Sequence, residues 1–304
     1  MSRADVALLL ICAVWGTTFA LLRDALRTLH PFELMALRFT IASVILMAVY
    51  WRRLWPVRRR WLLDGLWLGV WLTAGYLTQM IGLQTVSASR SAFITSMTIA
   101  IVPFIAYFIL RTRPVLGEAL GVLLAAAGLA MLSADAGFAL TPGELWNLGC
   151  AAAFAVHIVL TNSLAKRSPA IPLAVLQVSV PAAAGWALVA ARGGLSVAPR
   201  EIPWGVLIYL GVLATAFIIV LQTWALARTS SVKAGVLYAT EPVFAAVFAA
   251  SFFGERMTHR ELAGAALILA GVIVSELWRP ARAKWAERRR VRAARGLRGG
   301  SGPG

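Results

Sequence analysis

Apolar and polar positions in this chain segregate into blocks. Long apolar stretches recur about ten times, separated by short clusters of Arg, Pro, Gly and Ser. Their approximate limits are 4–22, 33–50, 62–83, 91–110, 115–133, 143–163, 171–190, 203–224, 233–253 and 260–278. Each is near the roughly 20 residues that a helix needs to cross a bilayer core. The short connections predict antiparallel neighbours. Residues 279–304 break the pattern with an Arg-rich stretch ending in Gly and Pro. They are predicted to form a basic cytoplasmic tail, with an interfacial start anchored by Trp285 and a disordered end.

Composition agrees with the pattern. The 304 residues are 60% hydrophobic and 14% charged, against about 25% charged in a soluble domain. The predicted class is an all-α membrane protein. The first block has a basic start at Arg3, but it carries Trp15-Gly16 in mid-stretch, has no A-x-A-like site before Arg23 and precedes many similar segments. It is therefore expected to be a retained helix rather than a signal peptide.

The net charge of +16 lies in loops and tail, where it reports orientation rather than nucleic-acid binding. With the N-terminus inside, twelve basic residues fall on inner segments: Arg3, Arg52, Arg53, Arg58, Arg59, Arg60, Arg111, Arg113, Lys166, Arg167, Arg228 and Lys233. Seven fall outside: Arg23, Arg27, Arg90, Arg192, Arg200, Arg256 and Arg260. Both termini are expected in the cytoplasm, and the chain in the inner (cytoplasmic) membrane. Cys12 and Cys150 both lie in apolar segments, and two cysteines indicate neither a disulfide framework nor a metal site.

The sequence also repeats. A shift of 143 sets Glu118 on Glu261, Gly121 on Gly264, Gly128 on Gly271, Arg90 on Lys233 and Arg113 on Arg256. Further upstream a shift of about 139 places Trp15 on Phe154 and Ala13 on Ala152. Five helices per copy is an odd number, so the second copy enters the membrane with opposite polarity. Inverted repeats of this kind build a site near the midplane.

The stretches "AVWGTTF", "LRFTIA", "GLQTVSASRSAFITSMTIAIVP" and "EPVFAAVFAASFFGERMTHRELAGAALILAGVI" occur in that order. On these motifs the chain resembles the EamA-type family of the drug/metabolite transporter superfamily, over residues 4–278. The resemblance implies ten helices in two inverted five-helix repeats, residues 1–135 and 136–278, with 279–304 as the tail. It implies secondary transport of small metabolites or amphipathic compounds, amino acids or drugs among them, commonly in the export direction. The expected surroundings are a small-molecule substrate and the lipid bilayer, with the chain a monomer or homodimer. No cofactor is expected.

Charged groups inside a span are costly and usually face a cavity or a partner. Arg38 lies about eight residues past "HPF" (30–32), some 10 Å deep by the ~1.5 Å rise per residue. At that depth it suits a clamp between helix ends or part of an outer gate. Glu241 sits in mid-span before Pro242, and proline frees the carbonyl of Tyr238 four residues back. One short stretch thus offers a carboxyl, a phenol and a free carbonyl, and makes the proton a candidate coupling ion. Its structural alternative is a hinge. Pro181 and Pro103 should likewise free the carbonyls of Gln177 and Ile99.

Thr18, Gln79, Thr95, Thr98 and His157 are further mid-span polar residues, candidates for a cavity wall or for interhelical bonding. Trp15 is placed to stack on substrate or to pack. The two-turn spacing of Gly121/Gly128 and Gly264/Gly271 marks helices 5 and 10 as scaffold. Glu118 and Glu261 stand at helix starts, where the dipole favours a carboxylate. Three scattered histidines and the absence of a G-x-x-x-x-G-K-[ST] loop argue against an enzyme and against ATP-driven transport. A channel, uniporter or intramembrane enzyme remains the competing class.

Overall fold

In a computed structural model of the chain, which describes residues 1–132, 141–253, 258–260 and 262–275, each predicted span is helical over most of its described residues. α1 (Arg3–Ala25), α2 (Pro31–Leu54) and α3 (Arg59–Leu83) lead into a broken helix, α4 (Ala88–Ser96) and α5 (Thr98–Leu110), and then α6 (Leu116–Leu132). α7 (Pro142–Leu164) and α8 (Ala170–Ala191) follow. The next helix, Trp204–Leu226, comprises α9 (Trp204–Ile208), a π-helical stretch Tyr209–Phe217 and α10 (Ile218–Leu226). A second broken helix, α11 (Ser231–Tyr238) and α12 (Glu241–Phe253), precedes α13 (Leu262–Ser275).

Among the described residues, seven stretches are long and apolar enough to cross a membrane: α1, α2, α3, Arg90–Leu110, α7, α8 and Trp204–Leu226. α6 and α13 are shorter apolar helices. The described residues contain no strand, and large apolar side chains such as Val44, Phe104, Phe108, Leu123 and Ile273 point outward. This is an all-helical protein of the membrane class. The predicted basic tail and Glu261 lie outside the described residues.

The helix starts follow local chemistry. α1, α2 and α7 each open on a capping box, Ser2/Asp5, His30/Glu33 and Thr141/Glu144, with proline at the first turn of α2 and α7. α4 and α11 are capped by Ser87 and Ser230, which accept from the backbone N–H of Arg90 (3.3 Å) and Lys233 (3.1 Å). Those caps are 143 positions apart, as are the starts of α5 and α12 at Thr98 and Glu241.

The helix breaks fall upstream of the prolines. The first break falls at Met97, upstream of Pro103, which sits inside an unbroken α5. The Thr98 hydroxyl draws the chain aside there, reaching the carbonyls of Thr95 (2.6 Å) and Ala151 on α7 (3.0 Å). Pro242 occupies the second position of α12, where its missing N–H costs no helical bond. It starts a helix rather than kinking one. Pro181 lies within a continuous α8.

Packing places α2 on α8, α3 on α7 and α8, and α1 on α12. Small residues allow these approaches: a Cβ at Gly185 of α8 would stand 2.7 Å from the Ala36 backbone of α2. α6 and α13 cross through glycines. A Cβ on Gly121 would lie 2.9 Å from the Gly271 carbonyl, and one on Gly128 would strike that of Gly264. Since the shift of 143 maps Gly121 to Gly264 and Gly128 to Gly271, the two contacts exchange under it, as at a two-fold crossing.

Candidate functional site

A cavity of about 690 Å³, counting the space at its mouth, lies among α1, α2, α3, α4, α7, α10 and the broken helices. The aromatic part of its wall is Trp15, Phe19, Tyr76, Phe154 and Tyr238. Trp15 lies 5.8 Å from Tyr238 between ring centroids, and Tyr76 meets Phe154 edge-on at 5.2 Å. The Trp15 indole donates to the Ala214 carbonyl at 3.2 Å, which fixes the ring.

Arg38 lines this cavity with 1% of its surface exposed. Its Nε donates to the Thr215 hydroxyl at 2.7 Å, which itself donates to the Leu210 carbonyl at 2.7 Å. That five-residue reach is the π-helical register of Tyr209–Phe217. A Cβ at Gly211 would lie 3.1 Å from the Arg38 carbonyl, so the π stretch hugs α2 at this level. The guanidinium also covers the Tyr76 ring, 4.6 Å from its centroid. Its Nη1 has no protein partner. Arg38 is thus a fully buried clamp on the π stretch.

Across the same cavity, Glu241 opens α12 beside α1. A Cβ at Gly16 would be 2.9 Å from the Ala245 N and 3.1 Å from the Glu241 carbonyl. Among the described residues the Glu241 carboxyl makes no ion pair, with Arg38 or any other base. Two more buried polar side chains of the wall, Gln222 and Tyr238, lie within interaction range of each other. The cavity therefore holds a buried guanidinium and a buried carboxyl that form no ion pair with each other.

Both ends of the bundle are held by buried ion pairs. Lys233 Nζ stands 2.7 Å from Asp5, with side chains 7% and 1% exposed. Arg90 pairs with Glu144, at 15% and 6%. Asp5 maps to Glu144 under the shift of 139, and Arg90 to Lys233 under that of 143. The two pairs are counterparts, each joining the opening helix of one half of the chain to the broken helix of the other.

The sequence matches the EamA-like transporter family over residues 2–134 and again over 141–277. The chain is a member of that family. A transporter of Archaeoglobus fulgidus, itself uncharacterized, is 31% identical over 280 residues, covering 90% of this chain and 86% of the relative. The uncharacterized transporter YcxC of Bacillus subtilis is 24% identical over 90% and 93%. A WAT1-related chloroplast protein of Arabidopsis thaliana is 26% identical over 85% and 66%. A crystal structure 22% identical covers 91% of this chain and 99% of its own, with a TM-score of 0.77, which speaks to fold alone. This EamA-like protein is a membrane transporter of the drug/metabolite type.

In this EamA-like transporter Trp15, Thr18, Gln79, Thr95, Thr98, His157, Tyr238 and Glu241 all reach the cavity, together with Arg38. Gln177 does not line it. It stands behind His157, with Oε1 2.7 Å from the imidazole Nε2 and its amide donating to Thr223 at 3.0 Å. Pro103, Pro181 and Pro242 are off the wall, and neither α6 nor α13 contributes to it. Tyr76, Phe154 and Gln222 were missed from sequence. Gln222 carried a readable signal, since it stands 143 positions from Gln79. Among the described residues no three His, Cys, Asp or Glu side chains gather to hold a metal ion.

Proposed function

We propose that the chain is a secondary transporter that exports a small metabolite or amphipathic compound across the cytoplasmic membrane by alternating access. Its ten spans form two inverted five-helix repeats, 1–135 and 136–278, with both termini cytoplasmic. The observation that carries this reading is the pair of counterpart ion pairs flanking one polar cavity. Asp5–Lys233 latches one face and Glu144–Arg90 the other, so releasing either opens the cavity to one side. The exchanged glycine contacts of α6 and α13, outside the cavity, give the rocking halves a shared scaffold. The wall residues bind substrate, and the broken helices supply the hinges.

Protons drive the cycle through Glu241. The titratable groups facing it are Cys12 from α1, Tyr76 from α3, Cys150 from α7 and Tyr238 from α11, whose ordinary values lie above neutrality. Arg38 and His157 share the cavity. Glu241 is the acid placed there to load and release a proton as the site alternates between wet faces. In proteoliposomes, counterflow should saturate and should follow an imposed pH gradient. Glu241→Gln should keep substrate binding and lose the gradient response. Unchanged pH dependence in the variant would leave Glu241 a hinge residue. Linear, unsaturable flux would make the protein a channel.

Orientation has a separate test. A cysteine introduced at Arg58 should resist a membrane-impermeant maleimide applied from outside and react from inside. Ready labelling from outside reverses the topology.

A further inference from the structure

We infer that the bundle holds an anionic phospholipid at a second site, away from the central cavity: one acyl chain seats in a cleft between α2 and the helix Trp204–Leu226, and the phosphate meets Arg228. The inference rests on the membrane class of the chain and not on what it transports. The cleft follows from the course of the two helices. At Gly211 the π stretch presses onto α2, where a Cβ would lie 2.7 Å from the Ile41 side chain and 3.1 Å from the Arg38 carbonyl. Past that contact the helix continues as α10, which packs on α1 and α8. The start of α8 floors the wedge left between them.

The walls of the cleft suit a hydrocarbon chain. α2 supplies Leu46 and Tyr50, α8 supplies Ile171, and the helix Trp204–Leu226 supplies Phe217, Val220 and Trp224. No lining side chain is charged, and only the phenol and the indole carry a polar atom. Phe217 is 49% exposed, so the cleft opens sideways through the apolar outer surface of the bundle. In a membrane protein that surface meets acyl chains. Water in such a cleft would lack the two to four polar partners it needs, whereas a lipid chain fills it by dispersion contact.

One end of the cleft carries a cation. The Arg228 guanidinium lies over the Trp224 ring, 4.5 Å from its centroid, and its Nη1 donates to the Trp224 carbonyl at 2.8 Å. Trp224 is therefore shared: its ring walls the cleft and holds the guanidinium at the cleft's end. Tyr50 and Trp224 are residue types that settle at headgroup level, which sets Arg228, one turn beyond Trp224, at the depth of a lipid phosphate. Arg228 is exposed and forms no ion pair with a described residue. Its remaining N–H donors suit phosphate oxygens.

Charge decides between lipids. On α2, Arg53 stands one turn past Tyr50, is exposed and likewise forms no ion pair with a described residue. The nearest carboxylate along the chain, Asp64, is already engaged by Arg60 and Arg167. Phosphatidylcholine would bring its phosphate to Arg228 but turn a quaternary ammonium toward uncompensated arginines. Phosphatidylglycerol carries the same phosphate and ends in a neutral diol, so its net negative charge is the better match to a basic pocket between spans.

The test is native mass spectrometry of the purified full chain in detergent, titrated with phosphatidylglycerol and phosphatidylcholine of matched chains. Phosphatidylglycerol should be retained, one per chain, at about fivefold lower concentration, the effect of one basic residue on an anionic lipid. Arg228→Gln, at an exposed position, should erase that preference. Arg113→Gln, which alters an exposed arginine stacked on Tyr107 and away from the cleft, should keep it. Val220→Trp fills the cleft and should cut retention of both lipids, with thermal unfolding showing that the variant is folded. Glycerol phosphate, a headgroup without a chain, should not displace the lipid. Equal retention of the two lipids, equal losses in Arg228→Gln and Arg113→Gln, undiminished retention in folded Val220→Trp, or displacement by glycerol phosphate would each overturn the site. No arm measures transport, so the transport reading stands or falls separately.

Discussion

Lys233→Glu is expected to remove most of the folded, transport-competent protein. Lys233 and Asp5 are nearly sealed from solvent, and α11 has no room to turn the new carboxylate away because each of its residues is buried. The substitution sets two carboxylates together in a dry site where one neutral pair stood. Removing a single partner of a buried pair already costs about 3–5 kcal/mol, and a like-charge contact adds to that. The exchanged variant, Asp5→Lys with Lys233→Asp, should recover a measurable part of the thermal stability in detergent. Full recovery is not expected, since Asp5 also accepts from the Ser2 backbone at 2.5 Å and caps α1. The counterpart substitution Arg90→Glu should be milder, because its guanidinium is the more exposed at 15%. Singles and exchanged double of equal stability would mean that the pair contributes no coupling. If the pairs are latches, Asp5→Asn should in addition raise cysteine labelling of the cavity from the cytoplasmic face only, and Glu144→Gln from the outer face only.

What sequence reveals and hides here follows from the range of the interactions. The helical membrane class was legible, because it depends on block length and composition alone. Helix starts were largely legible too, since Ser, Thr, Asp and Glu announce a cap within four residues. The break at Met97 was not. It depends on the Thr98 hydroxyl reaching Ala151, 53 residues onward, so Pro103 drew attention to the wrong turn. Arg38 was recognised as unusual, but its partners could not be read, because Tyr76 and Thr215 lie on α3 and the π stretch. Nothing near Thr215 in sequence marks a π register.

Asp5 and Glu144 show a different kind of concealment. Each also serves locally as a capping residue, a role that by itself gives no pointer to a distant cation. The repeat was the one long-range signal available. It aligned Arg90 with Lys233 and pointed, unused, from Gln79 to Gln222. Gln177 illustrates the converse: a proline four residues on singled out its carbonyl, whereas its amide serves by holding His157 from behind.

Gly128→Leu is expected to destabilise the protein severely without touching its substrate preference. At the α6–α13 crossing a Cβ on Gly128 would strike the Gly264 carbonyl and lie 2.8 Å from Ile268 Cγ1 and 2.9 Å from the Ile268 N. Two of those three atoms are backbone, so no rotamer change relieves the clash and the helices must separate. Overpacking a core costs about 1–3 kcal/mol even where side chains can give way, and here they cannot. Helix association in lipid depends on such close van der Waals contact, with little hydrophobic driving force to replace it. Gly205→Leu is the matched control, for a Cβ there meets nothing within 4 Å. Thermal unfolding in detergent should separate the two variants clearly. Because α6 and α13 supply no residue to the cavity wall, the Gly128→Leu protein that does fold should transport with an unchanged KM and a Vmax lowered in proportion to the folded fraction. A changed KM at normal stability would place this crossing in the substrate path and remove its role as scaffold.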